Sequence, residues 1–406
     1  MQEKLNNAIA DLSNDIPAYL TKDCGLFTGD SGAALFFAYQ FQATNNQVYL
    51  DKCFEIIESS FDSVADKYHQ GDFSLSNGAS GFLWLLHHLI HLGLLTDDNG
   101  CSEQLDPHIR QSIDRDFGEK NYDLMYKMIG KGIYFLEKTP DEFSMQAISS
   151  IVDRLDSMKK EDPSGVYWDD TLGKNIHTLT EHVQSLGLAH GIPSIIVFLS
   201  KVNSRGIART KTEALVSRAI SWLLKRELVD ADSCFSNMAS TTKPSRLSWC
   251  YGDLGVAISL FHAAKTFGND VWYNHALRIA IKTAHRDFDS AGLHLHNSGY
   301  FDPCFCHGSI GIAHMFKRFY EVTNREIFDE RHKFWIEKTL DLKKYRMNGI
   351  GEYLRFSASK DSSDNFFLEK DNGLLNGTAG IGLGLLSAQV SKPLRWDKFF
   401  LTDIER

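Results

Sequence analysis

The chain has 406 residues, with 43 Lys and Arg against 52 Asp and Glu, giving a net charge of −9. Its composition, 43% apolar, 23% charged and 12% aromatic, is that of a globular protein and excludes a disordered chain. The acidic balance argues against a general affinity for nucleic acid or anionic membrane.

The start, Met1 to Leu20, is amphipathic and acidic rather than a basic, apolar leader, so no secretory signal is expected. No apolar run reaches about 18 residues. The longest, Gly81 to Leu95, is broken by His87, His88 and His91, so no integral membrane segment is expected. Seven scattered cysteines (24, 53, 101, 234, 250, 304, 306) read as reduced thiols of a cytoplasmic protein.

Along the chain a small glycine turn recurs before an apolar run. The copies are Gly29-Asp30-Ser31-Gly32, Gly78-Ala79-Ser80-Gly81, Gly191-Ile192-Pro193-Ser194, Gly252-Asp253-Leu254-Gly255, Gly308-Ser309-Ile310-Gly311 and Gly377-Thr378-Ala379-Gly380. A degenerate copy, Lys127-Met128-Ile129-Gly130, falls in register. Each opens a run such as GAALFFA, GFLWLL or GIGLGLL, apolar on nearly every face as expected of an inner helix. The stretches between, including Asn46 to Phe61, Thr212 to Leu228 and Asp270 to Phe288, are amphipathic and read as outer helices. About fourteen helices follow, and only eight prolines in the whole chain agree with that. The fold expected is all-α: an α/α toroid of seven inner and seven outer helices, with residues 1–406 as one domain. Trp335 to Asp371 is the least helical stretch, and residues 357–365 read as an exposed loop.

In such a toroid the turns all point to one end. Immediately before each turn stand Thr28, Asn77, Tyr126, His190, Tyr251, His307 and Asn376. One step earlier stand Phe27, Ser76, Met125, Ala189, Cys250, Cys306 and Leu375. Cys250 and Cys306 thus share one repeat position in consecutive repeats, with His307 beside the second. Two thiolates and an imidazole suit Zn²⁺, and three protein ligands leave a fourth position open, as in catalytic zinc sites. Cys304 is a rival ligand out of register and reads as packing. His294 and His296 read as a short strand or extended loop with no metal role. Thr28, Asn77, Asn376 and Asp253 read as helix caps. Taken alone, His190 reads more readily as a capping or core histidine; its place in the repeat register favours a site role.

The segments Ser248-Trp249-Cys250-Tyr251-Gly252-Asp253, Cys306-His307-Gly308, Ala189-His190-Gly191 and Tyr122-Asp123-Leu124 make the chain resemble the lanthionine synthetase C-like family, the lanthipeptide cyclases. The seven repeats extend the resemblance over nearly the whole chain. It implies zinc on Cys250, Cys306 and His307, with His190, Asp123 and Arg246 as further site residues. The implied reaction adds a peptide cysteine thiol to dehydroalanine or dehydrobutyrine, closing a thioether ring. The implied substrate is a dehydrated precursor peptide, with a lanthipeptide dehydratase or exporter as further partners. His190 would be the proton donor, Asp123 would orient it or position the peptide, and Arg246 would balance the anionic centre or bind the enolate oxygen. Lys127 departs from the pattern in place of a glycine, and Leu254 in place of a proline; the first puts the third turn's shape in question. Two competing readings are a zinc prenyltransferase-like toroid, which would want an Asp, Cys, His set and a basic diphosphate pocket, and a glutathione-binding or glutathione-adding protein.

Overall fold

The computed structural model describes residues 1–170, 183–293, 301–342, 353–359 and 362–404. Each of the seven turns leads into an inner helix: Ser31–Thr44, Ala79–His91, Met128–Glu137, Ile192–Ser204, Asp253–Phe267, Ser309–Thr323 and Thr378–Gln389. These helices are buried on almost every side. In Ala79–His91, for example, every residue through Leu89 is buried, histidines included. Outer helices Gln47–Ser59, Cys101–Gly118, Glu142–Met158, Arg209–Leu224, Asp270–Ala284 and Glu326–Leu342 follow the first six inner ones. The seventh inner helix takes its outer partner from the other end of the chain, Gln2–Asp15, and Gln389 Nε2 donates to Asn6 Oδ1 at 2.8 Å. The seventh inner helix also packs on the first, which closes the ring. The all-α toroid is as expected.

Three expectations are corrected. An extra helix, Phe61–Gln70, continues the outer layer directly after Gln47–Ser59, so the described residues hold fifteen α-helices rather than about fourteen. The helix Glu326–Leu342 runs well past Trp335. Residues 357–365 are not a loop throughout, because Arg355–Ser359 pairs antiparallel with Ser362–Glu369. Phe356 lies opposite Leu368 and Ala358 opposite Phe366, and the aromatic residues Phe356, Phe366 and Phe367 supply the strand preference that the polar run concealed.

The turns are joined to one another through their backbones at the repeat position that carries the two cysteines. Phe27 N–H donates to Ser76 O (2.9 Å), Ser76 to Met125 (2.9 Å), Ala189 to Cys250 (3.3 Å), Cys250 to Cys306 (3.2 Å), Cys306 to Leu375 (2.9 Å) and Leu375 back to Phe27 (3.0 Å). The circle has one gap, between Met125 and Ala189, where Met125 N–H turns instead to Asp123 Oδ1 (2.8 Å).

Glycine is required where these turns press on the chain just before them. A Cβ on Gly311 would lie 1.9 Å from the Phe305 carbonyl oxygen. Gly252 has φ of +88°, a conformation side chains disfavour, and a Cβ there would meet Ser245 Oγ at 2.3 Å. Lys127 leaves the third turn intact: Ile129 N–H reaches Tyr122 O at 3.0 Å, and Gly130 sits against the Leu124 carbonyl as Gly311 sits against that of Phe305.

Beneath the turns, the C-terminal segment Trp396–Phe400 fills the middle of the ring. Phe400 stacks on Phe305 (centroids 4.2 Å apart) and its carbonyl accepts from Trp249 Nε1 at 2.8 Å, so it supports the fifth and sixth turns from below. Asp397 anchors the segment, accepting from His314 Nε2 (2.8 Å), Arg318 Nε (2.9 Å) and Thr402 Oγ1 (2.6 Å) in the core. Burial alone would raise its pKa, but Arg318 and His314 hold the carboxyl well below the usual range.

Candidate metal centre

Cys250 lies in the turn before Asp253–Phe267, and Cys306 and His307 in the turn before Ser309–Thr323. The backbone bonds from Trp249 (3.0 Å) and Cys250 (3.2 Å) to the Cys306 carbonyl bring these turns together. One ligand atom from each of Cys250, Cys306 and His307 falls within 4.8 Å of the others. Cys250 is buried, whereas Cys306 and His307 are partly exposed. A hydrogen bond between the two sulfurs divides their ionisation. It pushes Cys250 well below the usual thiol range, against burial and with help from Arg246 and His307, and it pushes Cys306 up. Arg246 places its guanidinium 3.8 Å from Cys250 Sγ, and Ser248 Oγ is 3.5 Å from the same sulfur.

Asp302, Cys304 and His307 form a second cluster of the same compactness. Its chemistry suits an ion less well. Cys304 is fully buried, and its sulfur already accepts the His307 backbone N–H at 3.5 Å. The soft donors of Cys250, Cys306 and His307, beside a cation that favours thiolate, fit a zinc ion.

His190 and Asp123 occupy the one gap in the backbone circle. Asp123 is buried, and its Oδ1 accepts the Met125 and Tyr126 N–H groups, both at 2.8 Å. Its Oδ2 takes His190 Nδ1 at 2.5 Å, a contact that does not involve Nε2. Burial disfavours a charged ring, but Asp123 outweighs it, with Asp170 and Cys250 adding, and the His190 pKa rises to about 9. The Tyr126 ring lies parallel to the imidazole with centroids 6.4 Å apart, and Tyr251 lies at 6.4 Å with its plane tilted.

All six expected site residues therefore lie in or just before the turns at one end of the toroid. His294 and His296 lie outside the described residues. The expected caps do not cap. Thr28 Oγ1 donates to Asn77 Oδ1 (2.7 Å), and Asn376 Oδ1 is buried with no hydrogen-bond partner among the described residues. Asp253 is the first residue of its helix, and its carboxylate fastens the Cys234 and Phe235 N–H groups (2.9 Å each). Close approach between turns leaves the helix starts after Asn77, Tyr251 and Asn376 to Gly78, Gly252 and Gly377, and the one after Thr28 to Asp30.

One recurring residue went unread in the sequence. Six residues before the first position of each turn stand Asp23, Asp72, Asn121, Ser185, Arg246, Asp302 and Asp371. Except at Arg246, the side-chain oxygen accepts the N–H two residues on, at 2.7–3.3 Å. The repeat register that isolates the cysteines, moved a few positions back, contains this signal.

Seven inner helices whose leading turns bring two thiols and an imidazole together define an α/α toroid with a soft-donor centre at its mouth. The family profile of lanthionine synthetase C-like proteins matches residues 21–401, and the chain belongs to that family. The solved structure of nisin cyclase superposes with a TM-score of 0.73 at 18% identity, covering 98% of this chain and 97% of that one. A curated relative from Danio rerio, glutathione S-transferase LANCL1, is 20% identical over 350 residues, 82% of this chain and 78% of the relative.

Proposed function

We propose that this protein is a zinc-dependent lanthipeptide cyclase. A cysteine thiol of a dehydrated precursor peptide adds across dehydroalanine or dehydrobutyrine: sulfur bonds the β-carbon, the π pair moves toward the carbonyl, and a proton is delivered to the α-carbon. Zinc on Cys250, Cys306 and His307 would keep the incoming thiol ionised near neutral pH, where a free thiol of pKa ~8.5 is mostly protonated. The chain's own residues supply the rest. His190, charged at neutral pH because Asp123 holds Nδ1, is the acid, and it presents Nε2 to the enolate. Asp123 fixes the ring while its other oxygen is tied to the backbone. Arg246 keeps a cation beside the sulfur-rich centre and is placed to take the developing enolate charge. Tyr126 and Tyr251 flank the imidazole.

The observation that carries this reading is the convergence of Cys250, Cys306 and His307 within 4.8 Å; family membership supports it. The all-sulfur-and-imidazole set, without a carboxylate among the three, disfavours a prenyltransferase. The test is to incubate the purified protein with a dehydrated, cysteine-containing peptide and count remaining thiols. Wild type should consume thiol, while Cys306→Ala should lose both zinc and thiol consumption. Equal consumption by the two proteins contradicts the mechanism. His190→Phe should keep its zinc yet lose or misdirect ring closure, and loss of zinc there would make His190 structural. The Danio rerio relative named as a glutathione S-transferase makes glutathione the competing thiol. A stable glutathione complex with no turnover of dehydrated peptide would favour that second reading.

A further inference from the structure

Six of the seven turns begin with the same device, a short side chain accepting the N–H two residues ahead. Asn121 and Ser185 perform it with a single acceptor oxygen (3.2 and 3.3 Å). The turn therefore needs no carboxylate, and at each aspartate one oxygen is left for other work. Asp23, at the rim, turns its Oδ2 to Lys67 at 2.8 Å. Asp302 is different, because it is buried. Its Oδ1 accepts the Cys304 N–H at 2.8 Å, and its Oδ2 lies 3.5 Å from His307 Nε2. His307 is also tied through its backbone N–H to Cys304 Sγ. The carboxylate and the imidazole thus belong to one short loop whose backbone is held at both ends.

We propose that Asp302 is a positioning residue for the metal centre: its Oδ2 faces Nε2 of His307 as the acceptor for that nitrogen's N–H, fixing the tautomer and ring orientation so that Nδ1 is the nitrogen offered to the ion. The inference deepens the zinc reading above and rests on it. A neutral imidazole has one N–H and one lone pair, so a buried acceptor on one nitrogen decides which nitrogen binds metal. Loss of such an outer partner lowers metal affinity by about 10–100-fold. The same register position in the fifth turn carries Arg246 beside Cys250. The two turns that bear ligands thus place opposite charges at equivalent positions, one serving the sulfur and the other the imidazole.

The test uses the full chain with Asp302→Asn and Asp302→Ser, the side chains that make this same turn at positions 121 and 185. Apoprotein melting temperature should stay within a few degrees of wild type for at least one of them. Zinc affinity, measured by competition with a chromogenic chelator, should fall about 10–100-fold in both. The visible absorption of the cobalt-substituted protein should change, which a merely structural residue would not cause in a normally melting variant. Asp72→Asn, the same change in the second turn, should leave zinc affinity as in wild type. Wild-type affinity and an unchanged cobalt spectrum in both Asp302 variants would overturn the proposal while leaving the zinc centre standing. A wild-type protein that takes up no zinc would instead overturn the zinc reading itself. Cys304→Ala should retain zinc; loss of zinc there, with retention in Cys250→Ala, would make Asp302 a direct ligand and end the positioning role.

Discussion

The His190–Asp123 pair ties the chemistry to pH through one contact. The folded His190 pKa, about 9, lies above the ordinary imidazole value of about 6.5, so the pair adds stability that is fully present below pH ~6.5 and is lost as pH rises through about 9. Ring closure that uses this proton should fall away over the same alkaline range. In Asp123→Asn the largest influence raising that pKa is gone, and the alkaline limb of the pH–rate profile should move down toward 6.5. A limb that stays near 9 in that variant would assign the proton to another group. At this scale the sequence is legible wherever two repeats can be compared. Cys250 and Cys306 fall at one repeat position, so their meeting follows from the register. The supposed caps Thr28, Asn77 and Asn376 also fall at one position, yet neighbouring turns lie so close that Thr28 and Asn77 bond to each other instead. Side-chain type alone does not show which neighbour wins. Asp302 was missed because an aspartate before a turn has an ordinary local explanation, and only its burial beside His307 shows the second use.

The turn followed by an inner helix is the repeating element. At Gly81, Gly130, Gly311 and Gly380 its second glycine is set by contact with a carbonyl oxygen rather than by an unusual dihedral. Gly311→Ala would force a methyl to within 1.9 Å of the Phe305 carbonyl. The turn that holds Cys306 and His307 must then shift, and denaturant unfolding should show a loss of about 1–3 kcal/mol or more. Gly118, the last residue of Cys101–Gly118, has open space where its Cβ would be, and Gly118→Ala should be neutral or slightly stabilising. Equal costs at the two positions would contradict the packing account. The inner helices were readable because an unbroken apolar run after a glycine pair has few other interpretations. The hairpin of Arg355–Ser359 and Ser362–Glu369 was not. Its polar run resembles a loop, and two strands become evident only once Phe356 is paired with Leu368 and Ala358 with Phe366 in one ladder.

Across the whole molecule, both chain ends help close the ring: Gln2–Asp15 completes the outer layer and Trp396–Phe400 fills the middle. Repeat counting recovered the seven turns but not this exchange, since neither terminal segment carries the repeat signature. Asp397 is the tie that holds the filling segment. Asp397→Ala would leave Arg318 buried without its main partner, a loss of about 3–5 kcal/mol in unfolding experiments. A variant as stable as wild type would show that the aromatic contacts of Phe399 and Phe400 suffice. Among the described residues no helix is long and apolar enough to cross a membrane. The backbone circle places the fifth and sixth turns side by side, and the functional reading depends on what they hold between them. X-ray absorption at the zinc edge of the purified protein measures that directly. The account predicts one zinc per chain, with two sulfur neighbours and the remainder nitrogen or oxygen, and with the sulfur signal lost in Cys250→Ala. A protein without stoichiometric zinc, or a zinc shell unchanged in that variant, would contradict it.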